Sequence, residues 1–298
     1  MSTDGPSSRE PVIPEPRGGP GVLRLLLGAQ LRRLRETAGV TPEQAGYEIR
    51  ASRSKISRME HGRVSFKQRD VADLLTLYGV TDELTRSGVL SLAQQANAHG
   101  WWRKYGDILP DWFEAYLGLE ATAALIRTFE LQFVHGLFQT EAYARAVTWL
   151  GNKTAPAEEI DRRVSVRLKR QAVLTSPEPP QVWSVMDEAV LRRPVGGRHV
   201  MRAQLAHLIE VASLPRITLQ VVPFARGGHA ASGGSFTVLR FAEPEVPDIV
   251  YIEQLTSALY LDGREDVDHY LEVMNELSTE ALTPARSADL LAEITKET

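Results

Sequence analysis

Apolar positions in the first hundred residues recur at helical spacing in short segments, each closed by a glycine or a polar turn. Leu27, Leu31, Leu34 and Ala38 fall on one face with Arg32, Arg33 and Arg35 between them, and Gly39 supplies a stop, which predicts a first helix. Thr41, Pro42 and Gln44 read as the N-cap, first position and third position of a capping box, opening a second helix that runs to about Ile49. Arg50 and Ala51 make a turn. Ser52 caps a third helix with a narrow apolar edge of Ile56 and Met59, and Gly62 ends it. Further helices are expected over residues 67–77 and 82–95.

From Trp101 the texture changes. Aromatic-rich helical stretches are predicted at 111–130 and 140–150, and a charged amphipathic helix at 158–174. Segments 182–186, 217–222, 235–241 and 249–252 are short and rich in Val, Ile, Leu and Phe, as strands are. Residues 226–234 contain four glycines and join two of these segments, which suits a wide hairpin loop. Helices at 199–212 and 266–280 complete the pattern. The expected fold class is α+β: a disordered tail over residues 1–20, an all-helical domain over 21–98, and an α+β domain with a mainly antiparallel sheet over 99–298.

A chain of 298 residues with 43% hydrophobic and 24% charged positions has room for two cores. It has no cysteine, which excludes a disulfide framework, thiolate catalysis and cysteine-type zinc sites. No basic and apolar leader opens the sequence, and no apolar run reaches the roughly 20 residues of a membrane span. A reducing cytoplasm is the expected compartment. The formal net charge is −4, yet residues 22–69 hold eleven Lys and Arg against four acids, a surplus of seven, which leaves −11 on the rest. Local basic surface is what phosphate binding needs.

The stretch from Gly39 to Arg63, GVTPEQAGYEIRASRSKISRMEHGR, resembles the helix-turn-helix of the XRE family, the Cro and phage-repressor type. The resemblance implies double-stranded DNA as partner, a homodimer, and a third helix lying in the major groove. On that pattern Arg53, Ser54, Ser57 and Arg58 face base edges, while Ser52, Lys55 and Arg63 lie where phosphates are held. Arg35 and Glu60 match a structural ion pair between the first and third helices. Two positions depart from the family: Pro42 stands where Gln is frequent, and Arg50 where the turn often has Gly.

The segment His135 to Arg145, with Arg170-Gln171, Asp187 to Leu191, Val221 to Phe224 and Tyr251 to Glu253, resembles a C-terminal domain that accompanies such repressors in filamentous soil bacteria. His135 replaces a common Pro. The resemblance implies regulation together with a small companion protein encoded nearby, or a small-molecule ligand. An antitoxin-like interaction module with autoregulatory DNA binding and a small-molecule-sensing repressor are the alternatives. The glycine-rich loop, with Arg226, Gly227, Gly228, His229, Gly233 and Gly234, is the candidate partner or ligand surface.

Enzymatic motifs are missing: there is no phosphate-cradling loop with Lys and Ser/Thr, no His-Glu-x-x-His and no Gly-x-Ser-x-Gly. Asp187 and Glu188, being adjacent, would point to opposite faces of a strand and could not share a substrate. Trp101 and Trp102 read as packing residues. The expectation is a regulator with no catalytic, metal or cofactor site.

Overall fold

The computed structural model describes residues 20–97, 100–244 and 246–298. The tail expected over 1–20 lies outside them except for Pro20, which opens the first helix. That helix, α1 (Pro20–Thr37), starts earlier than its leucine spacing suggested, and its early turns belong to two cores. Leu23, Leu27 and Leu31 pack into the small helical core, whereas Val22 and Leu25 enter the large core of the following domain. Gly21 crosses the backbone of Gly118 so closely that a Cβ would collide with its carbonyl.

The helical domain continues with α2 (Pro42–Glu48), α3 (Arg53–Glu60), α4 (Gln68–Leu77) and α5 (Glu83–Ala96). Thr41 and Gln44 close a reciprocal capping box, with N–H···O distances of 3.2 and 2.8 Å, and the Ser52 hydroxyl accepts from the Lys55 amide at 3.2 Å. Arg50 holds φ +53°, the left-handed conformation for which glycine is favoured, so this turn keeps its shape at the expense of local strain. Ala45, Ile49, Ile56 and Met59 pack beneath.

The larger domain is built on a six-stranded sheet in the order β3-β2-β1-β4-β5-β6: β1 (Leu125–Glu130), β2 (Gln181–Asp187), β3 (Ile217–Val222), β4 (Phe236–Arg240), β5 (Ile249–Glu253) and β6 (Ala258–Leu261). The first three run parallel and the other pairings are antiparallel, so three of five pairings are antiparallel. Helices α6 (Asp111–Glu120), α7 (Glu141–Gly151), α8 (Ala157–Arg170), α9 (Glu188–Arg192), α10 (Arg198–Ala212) and α12 (Pro284–Glu297) belong to this domain with α11 (Arg264–Glu280). One sheet face packs on α6, α7, α10 and α12, and the other on Val267, Met274 and Leu277 of α11.

Two expectations are corrected. The helix foreseen over 111–130 ends at Glu120, and Leu125–Glu130 is the strand β1 instead. Ile126, Thr128 and Phe129 suit a strand, but β1 lies between β2 and β4 and is buried on both faces, which removes the alternation that marks a half-buried strand. The loop 226–234 is no hairpin either, because β2 and β1 separate the strands it joins, so it passes over the sheet end. Among the described residues, no helix is long and apolar enough to cross a membrane.

Candidate nucleic-acid interface

The third helix divides cleanly by side. Ile56, Met59 and Glu60 are buried, whereas Ser52, Arg53, Ser54, Ser57 and Arg58 are exposed along the opposite edge. The division follows from helical period, since Ile56 and Met59 are three apart and Arg53, Ser54, Ser57 and Arg58 occupy the other side. Arg53 is only loosely engaged, 3.2 Å from the Glu43 carboxylate with both side chains mostly in solvent. Apart from the capping Ser52, this edge offers two guanidiniums and two hydroxyls, donors and acceptors of the kind that pair with base edges in a major groove.

What holds this edge in place is a buried pair. Arg35 Nε donates to Glu60 Oε1 at 2.5 Å and Nη2 to Oε2 at 3.1 Å, and Nη1 reaches the Val40 carbonyl at 2.9 Å. Both side chains are under a tenth exposed. The bond to Glu60 raises the Arg35 pKa above its ordinary value against the opposing effect of burial. One guanidinium thus joins α1, α3 and the chain entering α2. The approach is close: a Cβ on Gly28 of α1 would meet the Met59 and Glu60 carbonyls.

Ser52, Lys55 and Arg63, expected at phosphates, are all engaged within the protein. Ser52 spends its hydroxyl on the helix cap. Lys55 Nζ lies 2.6 Å from Asp70 Oδ2, at the first turn of α4. Arg63 Nη2 donates to the Tyr260 carbonyl of β6 at 2.6 Å, and burial lowers its pKa, with Asp262 acting in the opposite sense. The Lys55–Asp70 contact brings the start of α4 beside α3, so the exposed Lys67 and Arg69 join the basic side of the domain. Both belong to the basic surplus of residues 22–69, but they lie outside the Gly39–Arg63 stretch and only the fold brings them beside α3.

The glycine-rich loop is less open than its composition suggested. His229 is half-buried, with Nε2 3.7 Å from Asp187 Oδ2 and its ring 5.0 Å from that of Phe129. Arg226 pairs with Glu280 of α11. Gly227, Gly228 and Gly233 are exposed, Gly234 is half-buried, and Gly227 and Gly234 have positive φ. Asp187 ends β2 and caps α9, while the buried Glu188 accepts from Arg192 and from the Phe224 amide. Trp102 is buried against Gly118, and Trp101 meets it edge-on at 5.8 Å.

The larger domain also holds a buried polar network that the sequence did not disclose. Arg170 of α8 forms a bidentate pair with Glu120 of α6 at 2.7 and 2.8 Å, and Tyr116 donates to the same carboxylate at 2.8 Å. Burial works to raise the Glu120 pKa, and the Arg170 charge overcomes it, leaving it below the ordinary value. Burial pushes Glu130 up to about 8 and His135 down to about 4. The buried His135 stands where its ring nitrogen accepts from the Leu137 amide at 3.4 Å.

No curated protein and no solved structure matches the chain. The profile of a helix-turn-helix domain matches residues 26–87, which contain α2, α3, their turn and the Arg35–Glu60 pair. A second profile, described as Domain of unknown function (DUF5753), matches residues 113–293, more than half of the chain, and the chain belongs to that family.

Proposed function

We propose that the chain is a sequence-specific transcriptional regulator of the XRE type, acting as a cytoplasmic homodimer on double-stranded DNA and carrying no catalytic site. The observation that carries this reading is the exposed edge of α3, with Arg53, Ser54, Ser57 and Arg58, fixed from behind by a buried ion pair. An arginine in the major groove donates two hydrogen bonds to guanine O6 and N7, so Arg53 and Arg58 favour G-containing half-sites. One short helix reads few bases, and twofold symmetry doubles them. In this reading the DUF5753 domain adjusts promoter occupancy, as in a repressor, by binding a small companion protein or a ligand. Support for a protein partner comes from the exposed Gly227, Gly228 and Gly233 beside the half-exposed Phe224.

Selection of duplexes from a random pool tests the DNA reading. Enrichment of a twofold-symmetric site with half-sites roughly 34 Å apart is expected. Failure to enrich any sequence contradicts it, and a monomer by sedimentation both free and on DNA removes the dimer. Replacing residues 227–234 with a short turn should abolish recovery of a companion protein in a pull-down, and equal recovery would exclude the loop.

A further inference from the structure

The recognition helix ends against an acidic strand end. Asp262 follows β6 and reaches back to α3, 3.6 Å from the His61 ring and 3.9 Å from the Arg63 guanidinium. Arg63 is held a second time by the Tyr260 carbonyl at 2.6 Å and a third time by the Tyr260 ring, 5.4 Å from its centroid. Glu265 and Asp266 follow in the exposed first turn of α11. The junction among Arg24, Arg63, Gly118 and Tyr260 encloses only about 10 Å³, scarcely a water's worth, so no ligand separates these groups.

Electrostatics gives this contact a direction. Every cation at the rim of a DNA-reading helix adds to affinity by releasing a counterion from the duplex, and every anion there repels phosphate. Asp262 does both kinds of damage to binding, since it engages a cation three residues past the end of α3 and contributes negative charge at the same place. The Arg63 charge is meanwhile disfavoured by burial, which its contact at 3.9 Å only partly relieves. A phosphate oxygen would be an equivalent partner.

We propose that Asp262 is an autoinhibitory anion which, beside the Tyr260 carbonyl that hydrogen-bonds Arg63, takes the place a DNA phosphate would have near that guanidinium, so that the arrangement of the two domains described above is the weakly binding one. Withdrawal of β6 and Asp262 from Arg63 then strengthens attachment to DNA, which gives the C-terminal domain a physical means of setting occupancy. The inference rests on the DNA-binding reading of α3. A purely structural brace has the opposite signature, because removing a brace weakens binding or leaves it unchanged.

The test is duplex binding by the full chain, followed by fluorescence anisotropy across a salt series, on random-sequence DNA about three helical turns long. Asp262→Ala should bind roughly fivefold tighter near 0.1 M salt, with the slope of log affinity on log salt steeper by about one. Asp262→Asn, which preserves shape, should do the same. In an Arg63→Ala background the gain should shrink to the part that comes from losing the anion's own repulsion, with the added salt slope gone, and Arg63→Ala alone should change affinity little. Equal or weaker binding by both Asp262 variants overturns the proposal, as does a gain that is just as large without Arg63. If neither wild type nor any variant binds duplex, the DNA-binding reading itself fails and this inference falls with it.

Discussion

Both halves of the molecule bury an arginine–glutamate pair, and they surround it differently. Around Arg35 and Glu60 the helical domain supplies mostly apolar neighbours, with Leu31 and Met59 in the same core, and its other engaged charges, Lys55 with Asp70 and Arg63, are only partly buried. Around Glu120 and Arg170 the larger domain gathers Tyr116, His135, Glu130 and Arg167, and it stacks the guanidinium at 5.3 Å on the rings of Phe113 and Tyr116. The first pair acts as a pin that fixes the angle of α3. The second is the centre of a network joining α6 to α8, and it carries much of the titratable chemistry of the interior. The helical domain therefore keeps an exposed cationic edge on α3, and the sheet domain gathers a charged network in its interior as well.

Breaking either pair should give the largest effects. Glu120→Ala leaves the buried Arg170 guanidinium unpaired and should cost about 3–5 kcal/mol in urea unfolding, and Glu60→Ala, which leaves Arg35 only the half-exposed Glu36 at 3.5 Å, should cost about 2–4 kcal/mol. A loss under about 1 kcal/mol for Glu60→Ala would show that α3 is pinned by packing alone. Next come the outward charges. Arg53→Ala and Arg58→Ala should each cost about 1–3 kcal/mol at a selected operator while leaving the unfolding midpoint unchanged.

The inward charges predict a pH profile. Glu130, raised from 4.5 to about 8, keeps a proton that the unfolded chain gives up, so its effect on stability becomes unfavourable as pH rises through that window. His135, lowered from 6.5 to about 4, refuses a proton that the unfolded chain accepts, so stability falls as pH drops through that window. The two trends oppose each other where they overlap and leave the Glu130 trend alone above pH 6.5. Glu130→Gln should therefore abolish a decline of about 1–2 kcal/mol between pH 6.5 and 8, read by denaturation at several pH values. An unchanged decline would place its origin elsewhere. The smallest effect concerns the turn: Arg50→Gly should relieve the left-handed strain and add about 1 kcal/mol in thermal unfolding, and a lowered midpoint would show that the Arg50 side chain matters more than its backbone.

Local chemistry was legible in the sequence and distant pairing was not. Thr41, Pro42, Gln44 and Ser52 announced the starts of α2 and α3 because a cap is decided within four residues. Ile217–Val222 was visible as a strand from its β-branched composition. The strands β1 and β6 and the helix α12 were not foreseen, β1 because a strand buried on both faces has no alternation to read. The order of strands depends on crossovers, so the loop over 226–234 looked like a hairpin. The fate of Arg63 was hidden for the same reason, since its partner Tyr260 lies 197 residues away in the chain.

Base reading by the exposed edge of α3 is decided by the affinity of wild type and Arg58→Ala for every single-base substitution of a selected duplex, measured at one salt concentration. The variant should lose discrimination at one base position of each half-site and keep it elsewhere. Identical preference profiles for the two proteins at every position would contradict it.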